Sequence, residues 1–179
     1  MISIARPEPS EYAPYYGQYI AQVGEGDVLQ ILERQIEETV ALLGNLPPEM
    51  ATHRYAPGKW SVNQVVGHLS DTERVFAHRA LRFSRGDRQP LPGFEQNDYV
   101  DRANFDDRSL ADVTEEFRWV RGASMALFRS MNEAMLRRRG VASGVEFTVR
   151  AIPYILAGHE RHHLTVLRER YLDGHPEAP

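Results

Sequence analysis

The feature that most constrains this chain is a helical pattern near its C-terminus, from Ile152 to Tyr171. At about 100° per residue, its apolar residues fall on one side of a helix, and His159 and His163 fall at the centre of that side. The apolar residues are Ile152, Ile155, Leu156, Val166 and Leu167. Two imidazoles therefore occupy positions where a bundle helix usually presents leucine.

Two interpretations of this histidine pair are open. Both residues can belong to the core, but burying two imidazoles one turn apart requires two hydrogen-bond partners in an apolar setting. A shared metal ion would satisfy both, because an i, i+4 spacing lets the rings converge on one cation and neutral imidazole is the commonest metal ligand. The pair therefore predicts either a metal site or a pair of satisfied core histidines.

The segment His159-Glu-Arg-His-His163 also matches the HExxH pattern of zinc proteases. Such a protease needs a further ligand, usually well downstream, and here only His175 follows, in a short tail with Gly174 and Pro176. The third histidine of the metzincin pattern would fall on Glu169. The protease interpretation is therefore disfavoured, and the third ligand is sought upstream.

His68 is the best candidate for that third ligand. It lies on a second amphipathic helix, which the segment Pro57-Gly-Lys-Trp-Ser-Val-Asn-Gln64 introduces with Ser61 and Gln64 as a capping box. At the edge of the core stripe, His68 can face a cavity between helices. A lone histidine in this position would more often lie at the surface, but a pair already facing the core makes His68 its natural partner.

Asp71, almost one turn after His68, is the candidate catalytic residue, because it could orient a ligand or accept a proton. Glu73 offers the same chemistry. The alternative for both is a solvated helix face, since acidic residues alternate here with basic ones. The basic residues are Arg74, Arg79 and Arg82.

Length and composition favour one domain spanning residues 1–179 in the cytoplasm. With 179 residues and 42% hydrophobic content, the chain can bury a core without covalent staples. It has no cysteine, which excludes disulfides and thiolate ligands and favours a cytosolic location. A net charge of -4 argues against nucleic acid as a partner. Neither a secretion signal nor an apolar span of about 18 residues is found, so we expect no membrane association.

Four amphipathic segments predict an all-α chain. The first begins after Asp27, the second after Ser61, and the third near Ser109, running through Met131. Residues 140–147 are predicted to form a turn, with Thr148 as N-cap of the fourth helix. The sequence thus predicts a four-helix bundle with histidines of the second and fourth helices facing each other.

Two further segments have less periodicity. Residues 86–108 form a long link of the kind that often contributes to a binding site. Residues 11–20 predict a short surface helix, whose tyrosines we interpret as packing groups.

The residues resemble the DinB/YfiT-like family of metal-binding four-helix proteins. Pro57-Gly-Lys-Trp-Ser-Val-Asn-Gln-Val-Val-Gly-His-Leu-Ser-Asp71 resembles the family segment GxWSxxQxxxHLxD, and Gly158-His-Glu-Arg-His-His163 resembles HxxHH. The resemblance implies that His68, His159 and His163 hold a metal ion. It also implies an up-down-down-up bundle, in which the 86–108 link is the crossover, and a homodimer. The continuation Leu164-Thr-Val, where many relatives have Arg-Gly-Gln, resembles the YfiT-like branch.

Three hypotheses about function follow. The leading one is a metal-dependent enzyme, a thiol S-transferase or hydrolase acting on a small molecule with zinc or nickel, since the family includes both kinds. With no cysteine in the chain, a thiol nucleophile would come from a low-molecular-weight co-substrate. The second is a metal-containing protein that binds or senses a ligand without turnover. In the third, the histidines are buried and metal-free.

Overall fold

The structure, a computed structural model, describes residues 3–172 and is mostly helical. Within the described residues, seven helices and two strands follow one another. They are α1 (Pro14–Ile20), α2 (Val28–Gly44), α3 (Val62–Ser84), α4 (Gln96–Arg102), α5 (Leu110–Arg129), α6 (Glu133–Leu136), β1 (Arg139–Ala142), β2 (Val145–Thr148) and α7 (Ala151–Val166), which continues as a π-helix over Leu167–Leu172. Short 3-10 turns lie at Pro9–Glu11, Pro48–Thr52 and Phe105–Asp107.

The first three long helices begin at the side chains that the sequence predicts as caps. Asp27 accepts a hydrogen bond from the Leu29 amide at 2.9 Å, which pairs one of the backbone donors left free at the start of α2. Ser61 accepts from the Gln64 amide, and the Gln64 side chain accepts from the Ser61 amide, both at 3.0 Å. This reciprocal capping box fixes the start of α3 and therefore the phase at which His68 faces inward.

The segment predicted as a turn at residues 140–147 is instead an antiparallel hairpin, so the chain is not all-α. Arg139 pairs with Thr148 and Ala142 with Val145, and the two residues between the strands, Ser143 and Gly144, have positive φ angles of 55° and 75°. Two consecutive positive φ angles are typical of the tight turn whose twist matches that of paired strands. Gly140 lets β1 pack on α3, because a Cβ there would lie 2.0 Å from Phe83.

The ends of two long helices also differ from the sequence prediction. α5 ends at Arg129, and the separate helix α6 follows before the hairpin. α7 is preceded by Arg150 rather than Thr148, because Thr148 is the last residue of β2. Pro153 then lies in the first turn of α7, where a missing amide proton costs no helical hydrogen bond.

A buried guanidinium joins the four long helices. Arg121 of α5 donates to Glu73 of α3 at 2.7 Å, to Glu160 of α7 at 2.9 Å and to the Leu32 carbonyl of α2 at 3.0 Å. Thr39 of α2 donates to the other oxygen of Glu160 at 2.7 Å. These contacts connect α2 and α3 to both α5 and α7. The helices α2 and α3 also each pack against α5 and α7.

The short helix α1 packs closely against α7. A Cβ on Gly158 would lie 1.9 Å from the Tyr19 carbonyl oxygen, so only glycine permits this approach. Glu11, just before α1, forms an ion pair with Arg150 at the start of α7. The contact brings Tyr19 beside His159 and covers one side of the site.

Within residues 3–172, no helix is both long enough and apolar enough to cross a bilayer.

Candidate metal centre

The structure brings together the three histidines that the sequence singled out. His68 comes from the middle of α3, and His159 and His163 come from successive turns of α7. The Nε2 atom of His159 lies 3.1 Å from the Nε2 atoms of both His68 and His163. One ligand nitrogen from each residue lies within 4.8 Å of the others. The i, i+4 spacing thus produces the convergence expected of it.

His68 and His159 are buried, His163 is partly exposed, and the pKa of each of the three imidazoles lies below the ordinary value. His68 is 2% exposed and His159 8% exposed. Burial lowers the pKa of His68 to about 4. Burial, followed by repulsion from the neighbouring imidazoles, lowers the pKa of His159 and of His163 well below the ordinary value. Neutral imidazole is the form that ligates a metal ion.

Aromatic rings surround the cluster. The Trp60 ring centroid lies 4.8 Å from that of His68 and 6.5 Å from that of His163, with which Trp60 stacks. The edge of Tyr19 meets His159, with centroids 5.4 Å apart. The Thr72 hydroxyl lies 3.4 Å from Nδ1 of His68, one turn along α3. These contacts restrict the rotation of the rings and keep their Nε2 atoms convergent.

The cluster lacks a complete set of internal hydrogen bonds. Nε2 of His159 carries either one proton or one lone pair, so it can complete only one of its two 3.1 Å contacts as an ordinary hydrogen bond. A cation would accept the lone pairs of all three nitrogens. Ligand nitrogens around tetrahedral zinc lie about 3.3 Å apart, which follows from a Zn–N length of about 2.0 Å. The residues therefore fit a divalent ion.

One side of the cluster opens into a cavity of about 240 Å³. His68 and His159 line it, together with Thr72. Residues from three other parts of the chain complete the wall: the α1 tyrosines, the 86–108 link and the hairpin tip. They include Tyr15, Tyr16, Tyr19, Phe94, Glu95 and Ser143. The link thus contributes to a cavity, as its length predicted.

Asp71 lies outside this wall. It is half-buried, and its carboxylate faces Arg74 at 3.5 Å. Burial raises the pKa of Asp71, and the negative charge of Glu116 adds to this effect against the opposing effect of Arg74. Thr72, not Asp71, contacts His68 in the structure. The assisting role of Asp71 stays a prediction.

The protease interpretation is not supported by the position of Glu160. In the HExxH pattern this residue would act as a base beside the metal, but here it is 1% exposed and bound by Arg121 and Thr39. Adjacent residues on a helix point about 100° apart, so Glu160 points away from the cavity that His159 lines. His175, the only downstream histidine, lies outside the described residues.

Sequence reasoning missed several cavity residues. The tyrosines of α1 were interpreted as packing groups, yet Tyr15, Tyr16 and Tyr19 line the cavity. Arg79 was assigned to an exposed face, yet it is 2% exposed and also lines the cavity. A signal for Arg79 was available, because it lies three residues after Phe76 and four before Phe83 on the core stripe of α3. No local signal could place the α1 tyrosines, since their position depends on the packing of α1 on α7.

Several solved structures resemble this fold. YfiT from Bacillus subtilis, described as a probable metal-dependent hydrolase with an unusual four-helix bundle topology, matches with a TM-score of 0.68 and 18% identity over 95% of each chain. A mycothiol-dependent maleylpyruvate isomerase matches with a TM-score of 0.64 and 9% identity over 76% of this chain and 58% of its own. A DinB-like protein from Bacillus subtilis matches with a TM-score of 0.59 and 18% identity over 85% of this chain and 94% of its own.

At these sequence identities the structural likeness establishes the fold alone. The family is established from the sequence. No curated protein sequence matches this chain significantly. The family model of the DinB superfamily, however, matches residues 31–167, which include all three histidines. The chain belongs to the DinB superfamily.

Proposed function

We propose that this protein is a metal-dependent enzyme that transfers a low-molecular-weight thiol to a small electrophile, with hydrolysis as the alternative reaction. The observation that carries the proposal is the convergence of three imidazole nitrogens, two of which belong to residues that line an open cavity. Three protein ligands leave a coordination position for a small molecule, as in catalytic rather than structural sites. Zinc and nickel both suit an all-imidazole ligand set.

A bound divalent ion supplies a Lewis acid that lowers the pKa of a water or thiol beside it towards neutrality. The protein's own residues hold and shield this position. His68, His159 and His163 supply the ligand nitrogens, while the rings of Trp60 and Tyr19 pack against them.

The cavity favours thiol transfer over hydrolysis. A hydrolase usually places a general base beside the attacking water. Among the described residues that line the cavity, Glu95 is the only carboxylate, and it caps α4 by accepting from the Asn97 amide at 3.2 Å. Glu160 is bound to Arg121. A thiol needs no such base once its pKa is lowered: sulfur bonds to the electrophilic carbon, the leaving group departs with its electron pair, and the thiol proton passes to solvent.

Finer features of the family are part of the same proposal. We infer an up-down-down-up order of the four long helices, with the 86–108 link as the crossover, a homodimer and a cytoplasmic location. The match to YfiT over 95% of both chains supports the helix order. Sedimentation equilibrium tests the homodimer.

The metal content of tag-free protein tests the metal site. Mass spectrometry on the wild type, His163→Ala and His162→Ala separates a ligand from its neighbour, because His162 lies next to His163 on α7 but outside the converging cluster. We expect near-stoichiometric metal in the wild type and in His162→Ala, and its loss in His163→Ala. Equal metal content in all three proteins, or none after incubation with zinc or nickel, would contradict the three-histidine site.

Activity is tested next, on protein loaded with the ion so identified. Low-molecular-weight thiols are offered with a panel of electrophiles, alongside an ester and amide panel, and His163→Ala serves as the inactive control. Conjugation supports the proposed transfer, and hydrolysis alone supports the alternative. A metal-loaded protein that does neither, but is stabilised by small molecules, would be a binding or sensing protein.

A further inference from the structure

Arg79 is a buried cation without a carboxylate partner. Its side chain leaves α3 towards the cavity and is 2% exposed. Its guanidinium donates to the Ser143 hydroxyl at 2.9 Å and to the Pro92 carbonyl at 3.3 Å, and it lies 4.7 Å from the ring centroid of Phe76. None of the ion pairs between residues 3–172 includes Arg79. The surrounding groups orient the charge but do not neutralise it.

The second buried arginine differs from Arg79, because carboxylates of the protein neutralise its charge. Arg121 has two carboxylates, and despite burial its pKa is raised by Glu160 and Glu73. For Arg79, burial lowers the pKa, and contact with Tyr16 offsets only part of this effect. A buried charge of this kind is costly unless an opposite charge joins it. The missing partner of Arg79 can reach it through the cavity that it lines.

The groups around Arg79 form a receptor for a small oxyanion. Ser143 and Pro92 both accept from the same nitrogen, Nη2, so the other guanidinium nitrogens can donate charge-assisted hydrogen bonds to a carboxylate. The Ser143 hydroxyl already accepts a hydrogen bond from Arg79, so its own proton is available to an anion. The Tyr16 ring also lines the cavity, where its hydroxyl interacts with Arg79. Three donors of different types therefore lie together in the cavity wall.

We propose that Arg79, with Ser143 and Tyr16, binds the carboxylate of the small molecule whose reacting group lies at the histidine centre. Helical rise gives the spacing: Phe76, over which the guanidinium lies, is eight residues after His68, or roughly 12 Å along α3. A ligand with its carboxylate about that far from its thiol or electrophilic carbon would span the cavity. This inference rests on the proposed function for the reacting end, but anion binding by itself requires no metal.

Binding to metal-free protein tests the anion site alone. Hexanoate and hexanol are matched in length and differ in charge, and their dissociation constants can be measured by NMR titration. We expect the wild type to bind hexanoate at least about tenfold more tightly than hexanol, as a charge-assisted hydrogen bond in a buried site allows. Arg79→Met should bind both equally, and Arg79→Lys should keep part of the preference. Arg82→Met is the control, because Arg82 lies on the same helix and pairs with Asp87.

A second pair of probes links the anion site to the metal centre. On zinc-loaded protein, the ω-mercapto derivatives of hexanoate and longer carboxylates are compared with the corresponding mercapto-alcohols by calorimetry. Affinity should rise with chain length until the thiol and the carboxylate reach both sites. A carboxylate preference without any gain from the thiol would leave the anion site standing and contradict the proposed thiol chemistry. A gain from the thiol without a carboxylate preference would do the reverse.

Equal binding of hexanoate and hexanol to the wild type would overturn the inference, as would a carboxylate preference that survives in Arg79→Met. Circular dichroism checks that each variant is folded. If Arg79→Met does not fold, Ser143→Ala decides, because it removes one donor at the exposed hairpin tip and leaves the guanidinium in place. It should weaken hexanoate binding about threefold and leave hexanol binding unchanged. Unchanged hexanoate binding in that variant would overturn the proposed anion receptor.

Discussion

The protein contains two clusters of buried polar groups, one complete and one incomplete, and the helices α3 and α7 contribute to both. In the first, Arg121 is bound by two carboxylates and a carbonyl. In the second, Nε2 of His159 faces the Nε2 atoms of His68 and His163 but can complete an ordinary hydrogen bond with only one of them. Adjacent residues of α7, His159 and Glu160, belong to different clusters. The complete cluster holds the helices together, and the incomplete one is available to a ligand.

Removing the arginine of the complete cluster should have the largest effect on stability. Arg121→Met leaves Glu73 and Glu160 buried without a cation, which costs about 3–5 kcal/mol in the free energy of unfolding. Urea denaturation of metal-free protein measures this cost. Arg118→Met is the control, since Arg118 is half-exposed and its ion pair with Glu37 contributes at most about 1 kcal/mol. Equal losses in both variants would mean that the buried cluster is not a structural tie.

Removing one histidine of the incomplete cluster should lower stability only when metal is present. His159→Leu replaces a neutral buried imidazole by an apolar side chain, so we expect the metal-free protein to be as stable as the wild type or more so. At free zinc about 100-fold above the dissociation constant, the wild type should gain about 2.7 kcal/mol and the variant nothing. Urea denaturation with and without zinc measures both. A large loss of stability in the metal-free variant would show that the histidines are structural.

The sequence predicted the incomplete cluster better than the complete one. The histidines were found because imidazoles at core positions conflict with the apolar pattern around them. Arg79 was interpreted as part of a solvated face, and the same face was one of two alternatives for Glu73, because alternating charges are typical of exposed helices. Both are buried. Charge alternation along α3 could not reveal that the partners of Glu73 come from α5 and the surroundings of Arg79 from the hairpin.

The four long helices were predicted because caps and apolar periodicity are local signals. Ser61 and Ser109 cap helices where expected. The hairpin was missed although Ser143-Gly144 is a turn signal, because its two strands are only four residues each and lie in a short stretch between helices. The cover of the site by α1 depends on Gly158, whose role appears only when Tyr19 is placed against it.

Gly158→Ala tests whether α1 covers the site, and we expect an effect of intermediate size. The added methyl group would collide with the Tyr19 carbonyl, so α1 must move away at a cost of about 1–3 kcal/mol. Tyr19 would then leave His159, and zinc should dissociate faster. Thermal unfolding and the transfer of zinc to a chelator measure the two effects.

Gly122→Ala is the matched control for this substitution. Gly122 lies within α5 with no atom within 4 Å of an added Cβ. Alanine there should therefore stabilise the protein, by about 0.5–1 kcal/mol, and leave zinc dissociation unchanged. The two glycine variants should thus change stability in opposite directions, and destabilisation of similar size in both would contradict the close contact at Gly158.

The smallest effects separate two neighbours on α3, Thr72 and Asp71. Thr72→Val removes the hydroxyl beside Nδ1 of His68, and loss of a group that orients a metal ligand should weaken zinc binding about tenfold. Asp71→Asn removes a half-buried charge that faces Arg74, so zinc affinity and stability should change little, the latter by about 0.5 kcal/mol or less. Competition with a zinc chelator measures both affinities.

If Asp71→Asn weakens zinc binding more than Thr72→Val, or abolishes activity while zinc is retained, then Asp71 acts at the site as its spacing from His68 predicted. Unchanged zinc affinity in Thr72→Val would contradict the orienting role that its contact with His68 assigns to Thr72.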